Sequence, residues 1–267
     1  MPTSVGESAW AATACRRRSA GTSGPFGRCI AQQLNKAVRF LIGDPQAGFS
    51  PGRTQDENVS TLRGTIHAVN NQRPEDGGVV LMLDNTKAFD RLQHDFMFRT
   101  LEAFNLPPCL VGAVRTMYTD AETVMKMNGE VSKDAFKCLS GVKQGCPLSP
   151  LLYNLVQEVQ LRMIRQDRSI AGIPIPDADG RTAPAALRTR SPELKERGLV
   201  DDTMVALASA ESIPALIRAL DRFEAMSHSR MNLAKTVCLV LGGERSFDID
   251  GASPAAQMLR RRGLTRT

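Results

Sequence analysis

Apolar positions recur every three or four residues in some stretches of this chain and run together in others, and that contrast divides it into elements. Ile30, Leu34, Val38 and Leu41 share one face of a helix that opens near Cys29 and is closed by Pro45. A Gly/Pro-rich turn spans residues 46–53. The next helix, from about Thr54, carries Val59, Leu62, Ile66 and Val69 on one side and ends in a loop over residues 73–78. Residues 79–83 are an unbroken apolar run bounded by glycines and an aspartate, which predicts a buried strand.

Residues 95–105 and 108–119 read as helices separated by Pro107 and Pro108. Val124, Met125 and Met127, then residues 131–139, form the arms of a hairpin turning at Asn128-Gly129. A helix over 151–167 and a short strand over 171–175 follow, then a Pro/Ala/Arg-rich loop over 177–192. Leu199-Val200 and residues 204–208 flank an Asp-Asp pair as arms of a tight hairpin. A helix over 211–227 and a strand over 237–241 complete the pattern. Helices and strands mix without strict βαβ alternation, so the expected fold is α+β on a largely antiparallel sheet.

Composition changes this picture little. The 42% hydrophobic and 23% charged content of the 267 residues is that of an ordinary globular chain. No stretch reaches the ~20 apolar residues of a membrane helix, so no membrane partner is expected. The net charge of +6 sits in the tails: residues 1–28 carry +3 and residues 251–267 carry +4, leaving the body near neutral. Charge therefore neither requires nor excludes a nucleic-acid partner. Six scattered cysteines form no C-x-x-C pair and no cluster with His67, His94 or His228, which excludes a zinc site of the usual spacing. They suit a reducing, intracellular setting, nuclear or cytoplasmic.

The candidate chemistry lies where acids interrupt apolar strands. Asp84 ends the run at 79–83, and Asp201 and Asp202 occupy the hairpin turn. A carboxylate at the end of a buried strand is costly to ionise without a compensating cation or donor. Three brought together make physical sense around divalent metal. A strand-end aspartate also serves as a turn or helix cap, so spacing alone stops at a candidate.

The surrounding residues go further. The stretch Leu83-Asp84-Asn85-Thr86-Lys87-Ala88-Phe89-Asp90-Arg91 resembles the first palm motif of non-LTR (LINE-type) retrotransposon reverse transcriptases, and the block from Gly141-Val142-Lys143-Gln144-Gly145-Cys146-Pro147 through Leu155 resembles their second. Leu199-Val200-Asp201-Asp202 is similar to the catalytic hairpin, and Met231-Asn232-Leu233-Ala234-Lys235-Thr236 to the element after it. Gln46 through Arg53, with Asp56, resembles the element leading out of the fingers. The resemblance covers residues 29–243 in family order. It implies a right-hand polymerase palm with partial fingers and an RNA-directed DNA polymerase that uses an RNA template, a DNA primer and dNTPs.

On the same resemblance, Asp84, Asp201 and Asp202 match the ligands of two Mg2+ ions, with Mn2+ able to substitute, and the carbonyl of Asn85 adds a further oxygen. Phe89 matches the steric gate beneath the sugar, with core packing as the alternative. Gln144 and Gly145 match the loop against nucleotide and template. Lys235 matches the proton donor to pyrophosphate, or a phosphate contact, and Arg53 a phosphate contact or a solvated turn arginine.

Several features depart from the family pattern. Leu199 stands where an aromatic is usual and Val200 where alanine is usual, and the strand leading into the hairpin, residues 193–198, reads as too polar to be buried. The expected layout is a disordered or incorrectly assigned leader at 1–28, partial fingers at 29–78, palm with interleaved finger elements at 79–245 and a basic tail at 246–267. The leader's composition overlaps with that of organelle transit peptides, and a thumb is expected to be missing. That layout leaves a second expectation open, an inactive truncated retroelement remnant that at most binds nucleic acid. An RNA-templated RNA polymerase would share the carboxylates without Phe89 or the 141–155 block.

Overall fold

A computed structural model describes residues 23–49, 52–72, 77–128, 130–175, 193–232, 235–242 and 257. In chain order the elements are α1 (Ser23–Leu41), α2 (Gln55–Gln72), β1 (Gly78–Leu83), the one-turn helix α3 (Ala88–Arg91), α4 (His94–Ala103), α5 (Pro108–Tyr118), β2 (Glu122–Met127), β3 (Glu130–Lys137), α6 (Ser149–Gln166), β4 (Ile173–Pro174), β5 (Glu193–Leu194), β6 (Glu196–Leu199), β7 (Asp202–Leu207), α7 (Ile213–Ser227) and β8 (Val237–Leu241). The expected leader as far as residue 22, the loop at 177–192, and Leu233-Ala234 lie outside the described residues, as does the tail apart from Gln257. No helix among the described residues is long and apolar enough to cross a membrane.

The apolar run at 79–83 is one of the two inner strands, with β7, of a four-stranded antiparallel sheet ordered β6-β7-β1-β8. Alternate residues leave a strand on opposite faces, and here both faces are covered. Val79, Leu81 and Leu83 join Val205 and Leu207 against Leu216 and Leu220 of α7 and Ile164 of α6. Val80, Met204 and Ala206 face the other way, packing with Val69 of α2 and with Ile173 and Leu194 of the β4–β5 pair. That two-sided burial is why the sequence shows a continuous apolar run. A further core joins α1, α4, α5 and the buried helix α6.

Helix α1 begins at Ser23, six residues before the expected start. Gly24, Pro25 and Gly27 look like helix breakers, but a proline in the first turn removes an N–H that has no partner anyway. Gly27 is also a close approach: a Cβ there would stand 3.1 Å from Cys146 Sγ.

The strand judged too polar folds by ion pairing. Leu194, Glu196 and Gly198 alternate inward, with Lys195 and Arg197 between them. Buried Glu196 accepts a hydrogen bond from Arg165 Nε at 2.6 Å, and Arg165 Nη1 lies 3.3 Å from Glu158, itself fully buried. Burial pushes the Glu196 carboxyl above its ordinary range, and the Arg165 hydrogen bond and charge oppose that shift. The core tolerates the acid only through its cation.

The loop from Ser140 to Gly145 is fastened to α3. Val142 N donates to Phe89 O at 2.7 Å, Gly141 N to Leu92 O at 2.7 Å, and Ser140 Oγ to Asp90 O at 3.1 Å. His94 Nε2 lies 2.8 Å from Gly141 O. Gly141 has φ +84, and a Cβ there would stand 2.7 Å from Asp90 O and 2.8 Å from Phe89 O. Gly145 has a similar φ of +82 but open space around it.

Two predictions test this framework. Arg165→Met leaves Glu196 buried without its hydrogen-bonded cation and lowers unfolding stability by about 3 kcal/mol. Urea denaturation reads it, and an unchanged midpoint contradicts the account. Gly145→Ala carries only the strain of positive φ, about 1–2 kcal/mol. Gly141→Ala adds a clash with two backbone carbonyls, so its thermal midpoint falls well below that of Gly145→Ala; equal midpoints would show that the loop does not bear on α3 as described.

Candidate active site

The β1–β7 register decides where the acids stand. The last pair in the ladder is Leu83↔Thr203, after Met82↔Met204, so Asp84 and Asp202 follow as neighbours on the face that carries Met82 and Met204. Asp84, Asp202, Met82, Met204, Val237 and Lys235 accordingly line one open cleft of about 480 Å3, beside α2. Residues widely separated in sequence thus converge through strand pairing alone.

Asp201 stands one residue beyond, at the hairpin tip. The β6–β7 ladder closes at Leu199↔Asp202, leaving Val200 and Asp201 as a two-residue loop. Val200 has φ +60, a conformation that loops of this length need and that costs a β-branched residue ~1–3 kcal/mol. The exposed carboxyl of Asp202 is raised above its ordinary range, first by desolvation and then by the charges of Asp201 and Asp84. Tyr153 beneath is raised by its burial and by Asp201 and Asp202, so it stays a neutral phenol. The three acids are within electrostatic reach of one another and repel.

Among the described residues no three or more His, Cys, Asp or Glu side chains are gathered closely enough to cage a metal. The donor set nevertheless fits Mg2+: oxygen ligands only, mutually repelling, at an open cleft. Mg2+ binds through one or two carboxylates and fills its remaining positions with waters and substrate phosphates. A zinc-like closed tetrahedron would not fit these residues.

Asn85 is buried and ties the site together. Its Nδ2 donates to Asp201 O at 2.9 Å and lies 3.4 Å from the Tyr153 hydroxyl, while its backbone bridges Met231. Asn232 N donates to Asp84 O at 2.8 Å, which brings the segment holding Lys235 to the carboxylates. Phe89 is half-buried and stacks on Tyr153, with centroids 5.0 Å apart and planes at 14°. Gln144 is exposed and its Nε2 donates to Asp90 Oδ1 at 3.3 Å; Gly145 is exposed beside it.

Arg53 is engaged within the chain. Its guanidinium donates to the carbonyls of Ile42, Gly43 and Gln46 and to Asp44 Oδ1, so it clamps the turn after α1. The solvated turn arginine is not what the structure has.

Sequence reasoning did not single out Tyr153, the amide of Asn85, or Arg197, which lines the cleft. Arg197 was legible as the residue alternating with Glu196, had the polar strand been accepted. Tyr153 needed the packing of α6, which no local pattern gives.

A family described as "Reverse transcriptase (RNA-dependent DNA polymerase)" matches residues 26–253. The chain is 30% identical over 229 residues to the "Transposon TX1 uncharacterized 149 kDa protein" of Xenopus laevis, covering 85% of this chain and 16% of that one. It is 34% identical over 137 residues to the "Retrovirus-related Pol polyprotein from type-2 retrotransposable element R2DM" of Drosophila melanogaster, covering 51% and 12%. The chain therefore spans less than a fifth of the length of these relatives. Among solved structures, telomerase from Candida tropicalis in complex with a fragment of telomeric RNA superposes with a TM-score of 0.55 at 13% identity, over 82% of this chain and 33% of that one. The apo telomerase of the same organism, truncated from its C-terminal domain, gives 0.55 at 16% identity, over 85% and 41%. These likenesses establish a polymerase palm-like fold, and with the family match they show that the chain belongs to the reverse transcriptase family, as a domain of the non-LTR retrotransposon kind.

Proposed function

We propose that this chain catalyses RNA-templated DNA synthesis, joining dNTPs to the 3′-hydroxyl of a DNA primer in the cleft at the β1–β7 end. The observation that carries the reading is the side-by-side placing of Asp84 and Asp202 on one face of paired strands, with Lys235 on the same cleft wall.

Asp84, Asp201 and Asp202 would hold two Mg2+ ions, or Mn2+ in their place, with the carbonyl of Asn85 as a further oxygen. Bound there, the ions make the primer hydroxyl a better nucleophile and neutralise charge on the phosphates. The chain's own work is positioning. Phe89, its ring held against Tyr153, bears on the sugar and leaves no room for a 2′-hydroxyl, which selects dNTPs. Gln144 offers an amide, and Gly145 a backbone open to close approach, to nucleotide and template. Lys235 supplies an ammonium that can protonate or contact the departing pyrophosphate. Template recognition by backbone and shape suits an enzyme that must accept any sequence.

The test is incorporation on a primed RNA template with dNTPs and Mg2+. Asp201→Ala lowers it at least a hundredfold, roughly the effect of losing a few kcal/mol of transition-state charge stabilisation. Incorporation that survives Asp201→Ala contradicts the reading. Absence of incorporation by the unaltered chain, with salt-sensitive RNA binding indifferent to Asp201, replaces it with the nucleic-acid-binding remnant.

A further inference from the structure

We infer that Gln46 is a positioning residue for the hairpin carboxylates, holding Val200 in its left-handed conformation so that Asp201 and Asp202 stand where they can share divalent cations with Asp84. This role presupposes the polymerase reading for its use in catalysis, but its geometry stands apart from it.

The side chain of Gln46 is fully buried, although it belongs to the turn after α1 and is 154 residues from the hairpin. Its Oε1 accepts hydrogen bonds from Val200 N at 3.1 Å and Gly48 N at 3.1 Å. Its Nε2 donates to Val200 O at 3.4 Å. One amide therefore takes both backbone groups of the residue whose φ is +60. Two-residue hairpin loops usually place Gly, Asn or Asp at such positions, since those residues adopt positive φ with little penalty. Valine cannot, and here an amide from another segment supplies what the local sequence lacks.

The slot around that amide is made by glycines. A Cβ at Gly48 would stand 2.5 Å from Val200 Cγ2 and 2.6 Å from Val200 N. A Cβ at Gly198 would stand 2.9 Å from Gln46 Nε2. Ala47 N donates to Gly198 O at 3.0 Å and Gly198 N to Pro45 O at 2.9 Å, so the two segments also pair as backbone. Glutamine fits the demand because it offers an acceptor and a donor without charge. A carboxylate would lose the donor and add a negative charge at a tip already crowded with acids. Without the amide, Val200 relaxes toward negative φ, which turns the peptide leading into Asp201 and carries the carboxylates away from Asp84.

The experiment measures Mn2+ binding to the whole chain by electron paramagnetic resonance, with MnCl2 alone as probe, beside incorporation on a primed RNA template. Gln46→Met, which keeps volume and loses all three hydrogen bonds, weakens Mn2+ binding about tenfold and lowers kcat by a similar factor, as loss of a residue that orients metal ligands does. The KM for dNTP stays unchanged. Val200→Gly in the Gln46→Met background restores most of both, because glycine holds positive φ unaided. Thr100→Ala is the control for mere destabilisation. The buried Thr100 Oγ1 donates to Phe96 O at 2.8 Å within α4, which does not line the cleft. This control lowers Tm and leaves Mn2+ affinity as it was.

Gln46→Met binding Mn2+ like the unaltered chain overturns the inference, as does a loss that Val200→Gly fails to restore and Thr100→Ala reproduces. Should Gln46→Met not fold, the double variant decides: it folds and binds Mn2+ if strain at Val200 is what the amide offsets, and stays unfolded if Gln46 is only core. Gln46-dependent Mn2+ binding without any incorporation sinks the polymerase reading and supports the clamp. Incorporation that Gln46→Met leaves intact sinks the clamp alone.

Discussion

Strand register governs this site. Side chains alternate with a period of two, so sliding β7 by one residue against β1 would turn Asp202 toward the α6–α7 core and put Thr203 in the cleft. The pairing Leu83↔Thr203 is held by what each face buries: Leu81, Leu83, Val205 and Leu207 on one side, Val80, Met204 and Ala206 on the other. Thr203 is fixed further by the hydrogen bond its Oγ1 accepts, at 2.8 Å, from Gln157 Nε2 of α6. The hydrophobic core thus positions the carboxylates without touching them. The rest of the site, from the Asn85 bridge to the Phe89–Tyr153 stack, is arranged around that fixed pair.

The energetics divide into places where charge is compensated within the chain and places where it is not. Glu158 and Glu196 are buried with arginines against them, and the strand they support leads to the hairpin. Among the described residues no ion pair of this kind joins Asp84, Asp201 or Asp202, and the carboxyl of Asp202 is raised first by desolvation and then by the charges of Asp201 and Asp84. Uncompensated repulsion at the end of a rigid sheet is the arrangement expected where an external cation is to be held, since functional sites concentrate such perturbation. The strained Val200 sits at the same tip, and strain of this kind persists only where its surroundings enforce it.

Much of this was legible in the sequence because it is written locally. Helical spacing gave α2 and α4 to α7 close to their observed bounds, and the run at 79–83 gave β1. The order of motifs gave the family. What escaped was set by tertiary partners. Polarity at 193–198 argued against a buried strand, because the sequence does not reveal that Arg165 meets Glu196. The start of α1 was hidden by glycines and a proline whose tolerance depends on their place in the first turn. For Arg53 a phosphate contact and a solvated turn arginine both stood open, and the sequence did not reveal that its guanidinium donates to the turn after α1. The departure at Val200 read as a mere substitution; its significance appears only with Gln46 lying across it.

In the proposed site at least one of the two divalent cations lies between Asp84 and Asp202. An anomalous-scattering map from a crystal soaked in MnCl2 tests it most directly. The account predicts a peak roughly 2.0–2.2 Å from a carboxylate oxygen of each, the distance expected of a small hard cation on oxygen ligands. Manganese bound elsewhere on the molecule, with that pair left bare in well-ordered density, would contradict it.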